Sequence, residues 1–169
     1  DMARIESGKF TLAVKPMQEL HKQTGHAVSL FVRQDDDALC IERTVAERNG
    51  VQVTRVMGLR VPLTSSAVGK ILLMNESGSA LHALAGAQSV RADALQSEVS
   101  VIRQNQLAQD GDPHDPASQL TASPILNDMG EVVASLALNM PTARLTPEWT
   151  DSLKAAAQRI SNQMGWQAR

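Results

Sequence analysis

Tyrosine does not occur in this sequence, and phenylalanine and tryptophan contribute two residues each, so aromatics make up 2% of the chain. That scarcity works against a site that reads bases or sugars by stacking, which needs several exposed rings. Cysteine is nearly absent as well: Cys40 stands alone, which excludes an internal disulfide and any zinc cluster built on cysteines. A basic surplus is missing, since 16 Lys and Arg against 18 Asp and Glu leave a net charge of −2. A chain with that balance does not neutralise a run of phosphates, so it is not expected to clamp nucleic acid by itself. No apolar run approaches the roughly 18 residues of a membrane span, and no signal-peptide pattern opens the chain. No membrane partner is therefore expected. The first residue is Asp1, not Met, which reads as a piece of something longer.

What is present is a globular balance of 43% hydrophobic and 20% charged residues over 169 positions. That length fits one domain, 1–169, with enough chain to bury a core. Phe10, Ala13, Val14, Met17, Leu20 and His21 recur at helical spacing, and Gly25 stands where a glycine ends a helix. Pro16 inside that pattern predicts a kink or a true helix start nearby. His26 to Arg33 alternates as a strand, with Val28, Leu30 and Val32 on one face and Ala27, Ser29, Phe31 and Arg33 on the other. Turns at 34–37 and 47–50 make strands of 38–43 and of the valines from Val51. After a break at 75–79 come a short helix over 80–84 and an amphipathic one between Arg91 and Gln106. Asp110 to Pro116, with two prolines and a glycine, predicts a loop between strands.

Leu120 to Leu126 is an apolar run whose Pro124 predicts an edge strand or a bulge, and 127–130 is a hairpin turn. Glu131 to Met140 then gives the clearest strand. Val132, Ala134, Leu136, Leu138 and Met140 share an apolar face; Val133, Ser135, Ala137 and Asn139 share a small, partly polar one. A small-residue face leaves room for another layer or for a cavity. Thr146-Pro147-Glu148 is a helix start, and Trp149, Leu153, Ala156, Ala157, Ile160 and Met164 form the stripe of the last helix, ended by Gly165. Hairpin-joined strands with helices at both ends predict an α+β fold with an antiparallel sheet.

The stretch around which the chain is organised is Arg60 to Leu73. An extended run reaches Pro62, passes Thr64, Ser65 and Ser66, and turns helical at Ala67. A strand end, a hydroxyl-rich cap and a helix start form a place for small anions or carbonyls. The plainer reading makes Ser65 or Ser66 simply an N-cap. Val68-Gly69-Lys70 fails as a phosphate loop, because Thr64 stands where its first glycine belongs and Ile71 where a hydroxyl belongs. Gly69 reads as a close helix–sheet contact. Asp110, Asp112, His114 and Asp115 lack the glycine and glutamate positions of a calcium loop and read as a solvated acidic loop, so no metal is expected. His21 and His26 read as capping or surface residues, and Cys40 as a small core residue.

Read together, several segments resemble the effector-binding domain of the isocitrate lyase regulator (IclR) family of bacterial transcription factors. They are Leu12 to Leu20 with Thr24 to Val28; Gly58 to Leu63 with Ala67 to Leu73; and Ser123 to Leu126, Gly130 to Ala134 and Ala143 to Glu148. The resemblance covers nearly the whole chain. It implies a GAF-like domain, an antiparallel sheet of about six strands flanked by helices. It also implies a sensor of a small molecule, often an organic acid, that works as a homodimer or homotetramer in the cytoplasm. DNA would be reached only through a winged helix-turn-helix domain preceding Asp1. By the same resemblance Val61, Ala67 and Val68 line the effector pocket near the helix start, beside the hydroxyls of Thr64, Ser65 and Ser66. Asp110, or Asp112 in its place, faces the pocket with Leu120, Ala137 and Asn139 from the sheet. Leu120 stands where many members have Cys, and Ala137 and Asn139 where many have Ser, which implies a more apolar pocket than one built for glyoxylate or pyruvate. No cofactor and no catalytic residue are implied. Two other readings stay open: an oligomerisation module with a filled pocket, and a small hydrolase-type enzyme using Ser65 or Ser66 with Asp110 and a histidine.

Overall fold

Period-two alternation along the strand that ends near Met140 sets the layers of this molecule. The computed structural model of the protein describes residues 10–112, 115–141 and 147–167. The strands are β1 (Val28–Gln34), β2 (Asp37–Glu47), β3 (Gly50–Arg55), β4 (Arg60–Pro62), β5 (Ala108–Asp112), β6 (Asp115–Leu126) and β7 (Val132–Pro141). The α-helices among the described residues are α1 (Val14–Thr24), α2 (Ala67–Leu72), α3 (Gly78–Ala87), α4 (Ala92–Asn105) and α5 (Pro147–Gln163). The sheet order is β3-β2-β1-β7-β6-β5, and every pairing is antiparallel. The short β4 pairs with the start of β2, so β3 and β4 lie in tandem along that strand. This is the α+β sheet of about six strands that the sequence predicts, with β4 added.

Each face of the sheet has its own core. On one, Val28, Leu30, Leu136, Leu138 and Met140 pack against Met17 and Leu20 of α1 and Leu153 and Ile160 of α5. On the other, Phe31, Cys40, Leu120, Ala122 and Ala137 meet Val68, Ile71 and Leu72 of α2, with Val99 and Ile102 of α4 behind. Burying each such Leu or Ile contributes about 1.5–3 kcal/mol over leaving it exposed. α1 ends where Gly25 turns left-handed at φ 75°, its N–H donating to the His21 carbonyl at 2.7 Å. Pro16 lies in the first turn of α1, where the missing N–H has no helical partner to lose, so it marks a start and not a kink.

Three expectations change. Residues 110–116 are not one loop: Asp110, Gly111 and Asp112 pair in β5, and Asp115 and Pro116 open β6. Pro116 is tolerated there at a strand start. The short helix over 80–84 runs from Gly78 to Ala87, because Ser77 accepts from the Ala80 N–H and caps it early. Along β7 the face alternation inverts at its beginning. Ile125 pairs with Ala134 and Leu126 with Val132, so a bulge skips Val133. Val132 therefore packs toward the α2 side and Val133 toward α5. Pro124 sits just before this bulge and beyond the last β5 partner, Ala122, so it has a strand neighbour on one side only, as its ring requires. Pro147 begins α5 as expected; Thr146 lies outside the described residues.

Candidate functional site

On the α2 side of the sheet, near the ends of β1, β5 and β7, the packing leaves a cavity of about 110 Å³. Phe31, Leu59, Val61 and Leu120 form its apolar walls, and Ser29, Arg43, Asp112 and Asn139 its polar ones. The register explains why these residues meet. Ser29 pairs with Ala137 on one side and with Arg43 on the other, while Leu120 pairs with Asn139. Directly opposed residues of antiparallel strands share a face, so two neighbouring rungs meet here: Arg43, Ser29, Ala137 and Ala122 across four strands, and Leu120 with Asn139 two residues along. Ala137 and Ala122 are fully buried in the apolar cluster beside the cavity.

The polar end is organised by one hydrogen bond. The Asn139 carboxamide nitrogen donates to Asp112 Oδ2 at 2.8 Å, which fixes the amide and leaves its carbonyl oxygen as an acceptor. Arg43, Asp112 and Asn139 also line an adjoining open cleft of about 490 Å³ that reaches His26 and Ser118, so the cavity has a polar mouth. A wider groove of about 580 Å³ between α1 and α5 lies on the other face of the sheet, crossed by the Arg159–Glu19 ion pair, and shares no residue with this site.

The predicted site residues divide. Val61, Leu120 and Asn139 line the cavity. Between the two acidic candidates the structure places Asp112 there, while Asp110 lies 3.6 Å from the Lys70 ammonium, which also holds Glu98 at 2.5 Å. A register shift between Gly111 and Asp112 separates the two carboxylates. Ala67, Val68 and Ala137 are buried in the same apolar cluster but are not on the wall. Two of the hydroxyls at the helix start are taken up within the fold. Ser66 is the N-cap: it accepts from the Gly69 N–H and donates to the Pro62 carbonyl, both at 3.0 Å. Thr64 donates to Gln88 Oε1 at 2.6 Å, and the same oxygen accepts from the Thr64 N–H. Gln88 in turn donates to the Asp36 carbonyl at 2.6 Å, tying the end of α3 to the β1–β2 turn. Ser65 is exposed at the end of a short 3₁₀ turn. Gly69 is a close contact, but with the backbone of Leu63 and not with the sheet.

Ser29, Phe31, Arg43 and Leu59 were not singled out from the sequence. The alternation of β1 already puts Ser29 and Phe31 on a common face; that this face adjoins the small face of β7 is a matter of strand order. Cys40 lies below the site, fully buried, its thiol pushed up to about 11 chiefly by burial and so not a nucleophile near neutral pH.

The layer order is that of the C-terminal domain of a family of bacterial transcriptional regulators. Residues 9–166 match the family model described as bacterial transcriptional regulator IclR C-terminal, and the chain belongs to that family. Its relatives include the HTH-type transcriptional regulator KdgR of Escherichia coli, 27% identical over 89% of this chain and 62% of KdgR. TtgV, an HTH-type transcriptional regulator of Pseudomonas putida, is 29% identical over 85% of this chain and 57% of its own length. The chain thus spans little more than half the length of these relatives. Among solved structures, the C-terminal domain of Escherichia coli KdgR superposes with a TM-score of 0.77 at 24% identity, covering 93% of this chain and 98% of that domain. The transcriptional regulator YaiJ does so with a TM-score of 0.80 at 21% identity, covering 92% of this chain. Among the described residues no helix is long and apolar enough to cross a membrane.

Proposed function

We propose that this chain is the effector-sensing domain of a bacterial transcription factor, and that its effector is a small organic acid held in the 110 Å³ cavity. The observation that carries this reading is the lining itself: four apolar side chains close one end, and a guanidinium, a carboxylate and a fixed carboxamide meet at the other. Arg43 takes the carboxylate of the ligand at the mouth. Asn139 and Asp112 accept from a hydroxyl or amide donor, and Leu59, Val61 and Leu120 bury a short carbon body. The size suits a ligand of few heavy atoms, smaller than the ~300–1,000 Å³ of ordinary ligand pockets allows.

In the full-length protein the signal reaches DNA through an N-terminal helix-turn-helix domain, in the cytoplasm. At least two copies assemble so that two half-sites are read at fixed spacing. A ligand preference of about 1–3 kcal/mol for one arrangement of the assembly suffices to switch it. No catalysis is involved. A thermal-denaturation series with propionate, pyruvate, lactate and their neutral amides tests the reading. A binding acid at about 100 times its Kd stabilises the fold by ~2.7 kcal/mol, and is recovered chemically unchanged. Absence of any concentration-dependent shift across such acids favours the oligomerisation module; turnover of the acid favours the enzyme.

A further inference from the structure

A second concave space, open on one side, lies where β6 runs past the end of β5. The β5 ladder stops at Ala108 opposite Ala122, so residues 123–126 have β7 on one side and no strand on the other. α5 crosses this bare edge. Its Lys154, Ala157, Gln158 and Ser161 fall at i, i+3, i+4 and i+7, on a single face. Ala157 and Ser161 are small, and the gap they leave is bordered by the half-buried Trp166, whose backbone N–H donates to the Ser161 carbonyl at 3.0 Å just past the helix end. The resulting cavity measures about 140 Å³. Cavities of about 150 Å³ are known to admit benzene, so this one has the size of a single six-membered ring.

Its polar floor is internally satisfied. Ser123 donates to the Gln106 carbonyl at 3.1 Å, the Leu126 N–H donates to Ser161 Oγ at 2.9 Å, and Ser161 donates to the Ala157 carbonyl at 2.8 Å. At the rim the situation differs. Among the described residues the Lys154 ammonium, the Gln158 amide and the Trp166 indole N–H take part in no hydrogen bond or ion pair. Asp128 approaches the turn at Gly165 but does not line the cavity. Pro124, Leu126 and Ala157 supply apolar surface, the Trp166 ring a flat wall, and Lys154 one cation at the opening.

We propose that this cavity is a second small-molecule site, distinct from the Asn139 cavity, which takes a single-ring carboxylate with its ring against Trp166 and Pro124 and its carboxylate on Lys154. An aromatic ring gains there both apolar burial and indole contact, and the ammonium gains the counter-charge it lacks.

The test uses benzoate as the probe and the fluorescence of Trp166, isolated by a Trp149→Phe change. Benzoate is expected to alter the Trp166 emission saturably. Lys154→Gln, at an exposed position, is expected to weaken the response about tenfold, and benzyl alcohol to bind at least as weakly in the unaltered site. Asn139→Leu in the first cavity is expected to leave the titration unchanged, so the proposal stands or falls apart from the effector reading. A non-saturating response overturns it. So does a response indifferent to Lys154→Gln in a variant whose circular dichroism is native, or one abolished by Asn139→Leu.

Discussion

Asn139 on β7 and Asp112 on β5 are joined side chain to side chain at 2.8 Å although β6 lies between their strands. Leu120, the residue of β6 that pairs with Asn139, lines the same cavity. The bond fixes the polar end of the cavity while Leu120 supplies apolar wall. Asp112→Ala frees the Asn139 amide to rotate. The expected outcome is a loss of about tenfold or more in affinity for the organic acid, with little change in the melting temperature of the free protein, since Asp112 is only half-buried on an edge strand. Calorimetric titration and a melting curve on the same sample check both halves.

Gly69→Ala should be among the most damaging single changes in the chain. A Cβ there falls 2.5 Å from Leu63 Cα, and the clash is with backbone, which has no rotamer to escape into. Overpacking of this kind costs about 1–3 kcal/mol or more. Urea denaturation is expected to show a lower midpoint with an unchanged slope; a midpoint within error of the parent protein would mean that α2 moves freely against the turn at 63–65.

Ser66→Ala removes the hydroxyl that accepts from Gly69 and donates to Pro62. The expected loss is about 1 kcal/mol, the usual worth of an N-cap. Ser65→Ala, at the exposed neighbour, is expected to change stability by less than about 0.5 kcal/mol. The pair of measurements separates the two serines, which sequence alone leaves interchangeable.

His21 gives the fold a dependence on pH. Burial first, and the nearby His26 second, hold its pKa below the ordinary 6.5. Its Nδ1 lies 2.6 Å from Thr44 Oγ1, which also accepts from the Val28 N–H at 2.8 Å. The Thr44 proton is thus available to an unprotonated ring nitrogen. A depressed folded-state value means that the unfolded chain binds the proton more readily. The His21 contribution is complete above pH 6.5 and is lost as pH falls from there through the lower folded value. Denaturation midpoints compared at about pH 8 and about pH 5 are expected to fall further for the parent protein than for His21→Gln. Equal falls would detach the effect from this histidine.

Cys40 should be inert. With a thiol raised to about 11 and no exposed surface, it is expected to react with a thiol-specific disulfide reagent only at the rate of unfolding. Fast stoichiometric labelling of the native protein at neutral pH would contradict the packing around it.

The fold was largely legible because its signals are periodic. The β7 alternation from Ala134 onward, the Gly25 helix stop and the Pro147 helix start each follow from local chemistry, and each survives in the structure. Local chemistry is also where legibility ends. The inversion at Val132 and Val133 comes from a bulge against Leu126, a residue on another strand. The strand character of Asp110 to Asp112 comes from pairing with β6, which overrides the poor strand propensity of Asp and Gly. The site was half legible for the same reason. Val61 and Leu120 were implied only by the family resemblance and Asn139 also by the small face of its strand, whereas Arg43 and Ser29 reach the cavity because β1 lies between β2 and β7. The hydroxyl cluster at 64–66 was the loudest local signal, and the structure engages Thr64 and Ser66 in capping and bracing.

The two cores on either side of the sheet have no residue in common, so the cavity and α1, the first α-helix among the described residues, lie on opposite sides of a β-strand. β2 touches both sides. Arg43 points into the cavity, and Thr44, the next residue, points out of the opposite face onto His21. Neighbours on a strand are rigidly opposed, like the two arms of a seesaw pivoting on one peptide plane. Arg43 and Thr44 thus set a wall of the cavity and a contact with α1 one peptide apart. The sheet that separates the two chambers is also what they share.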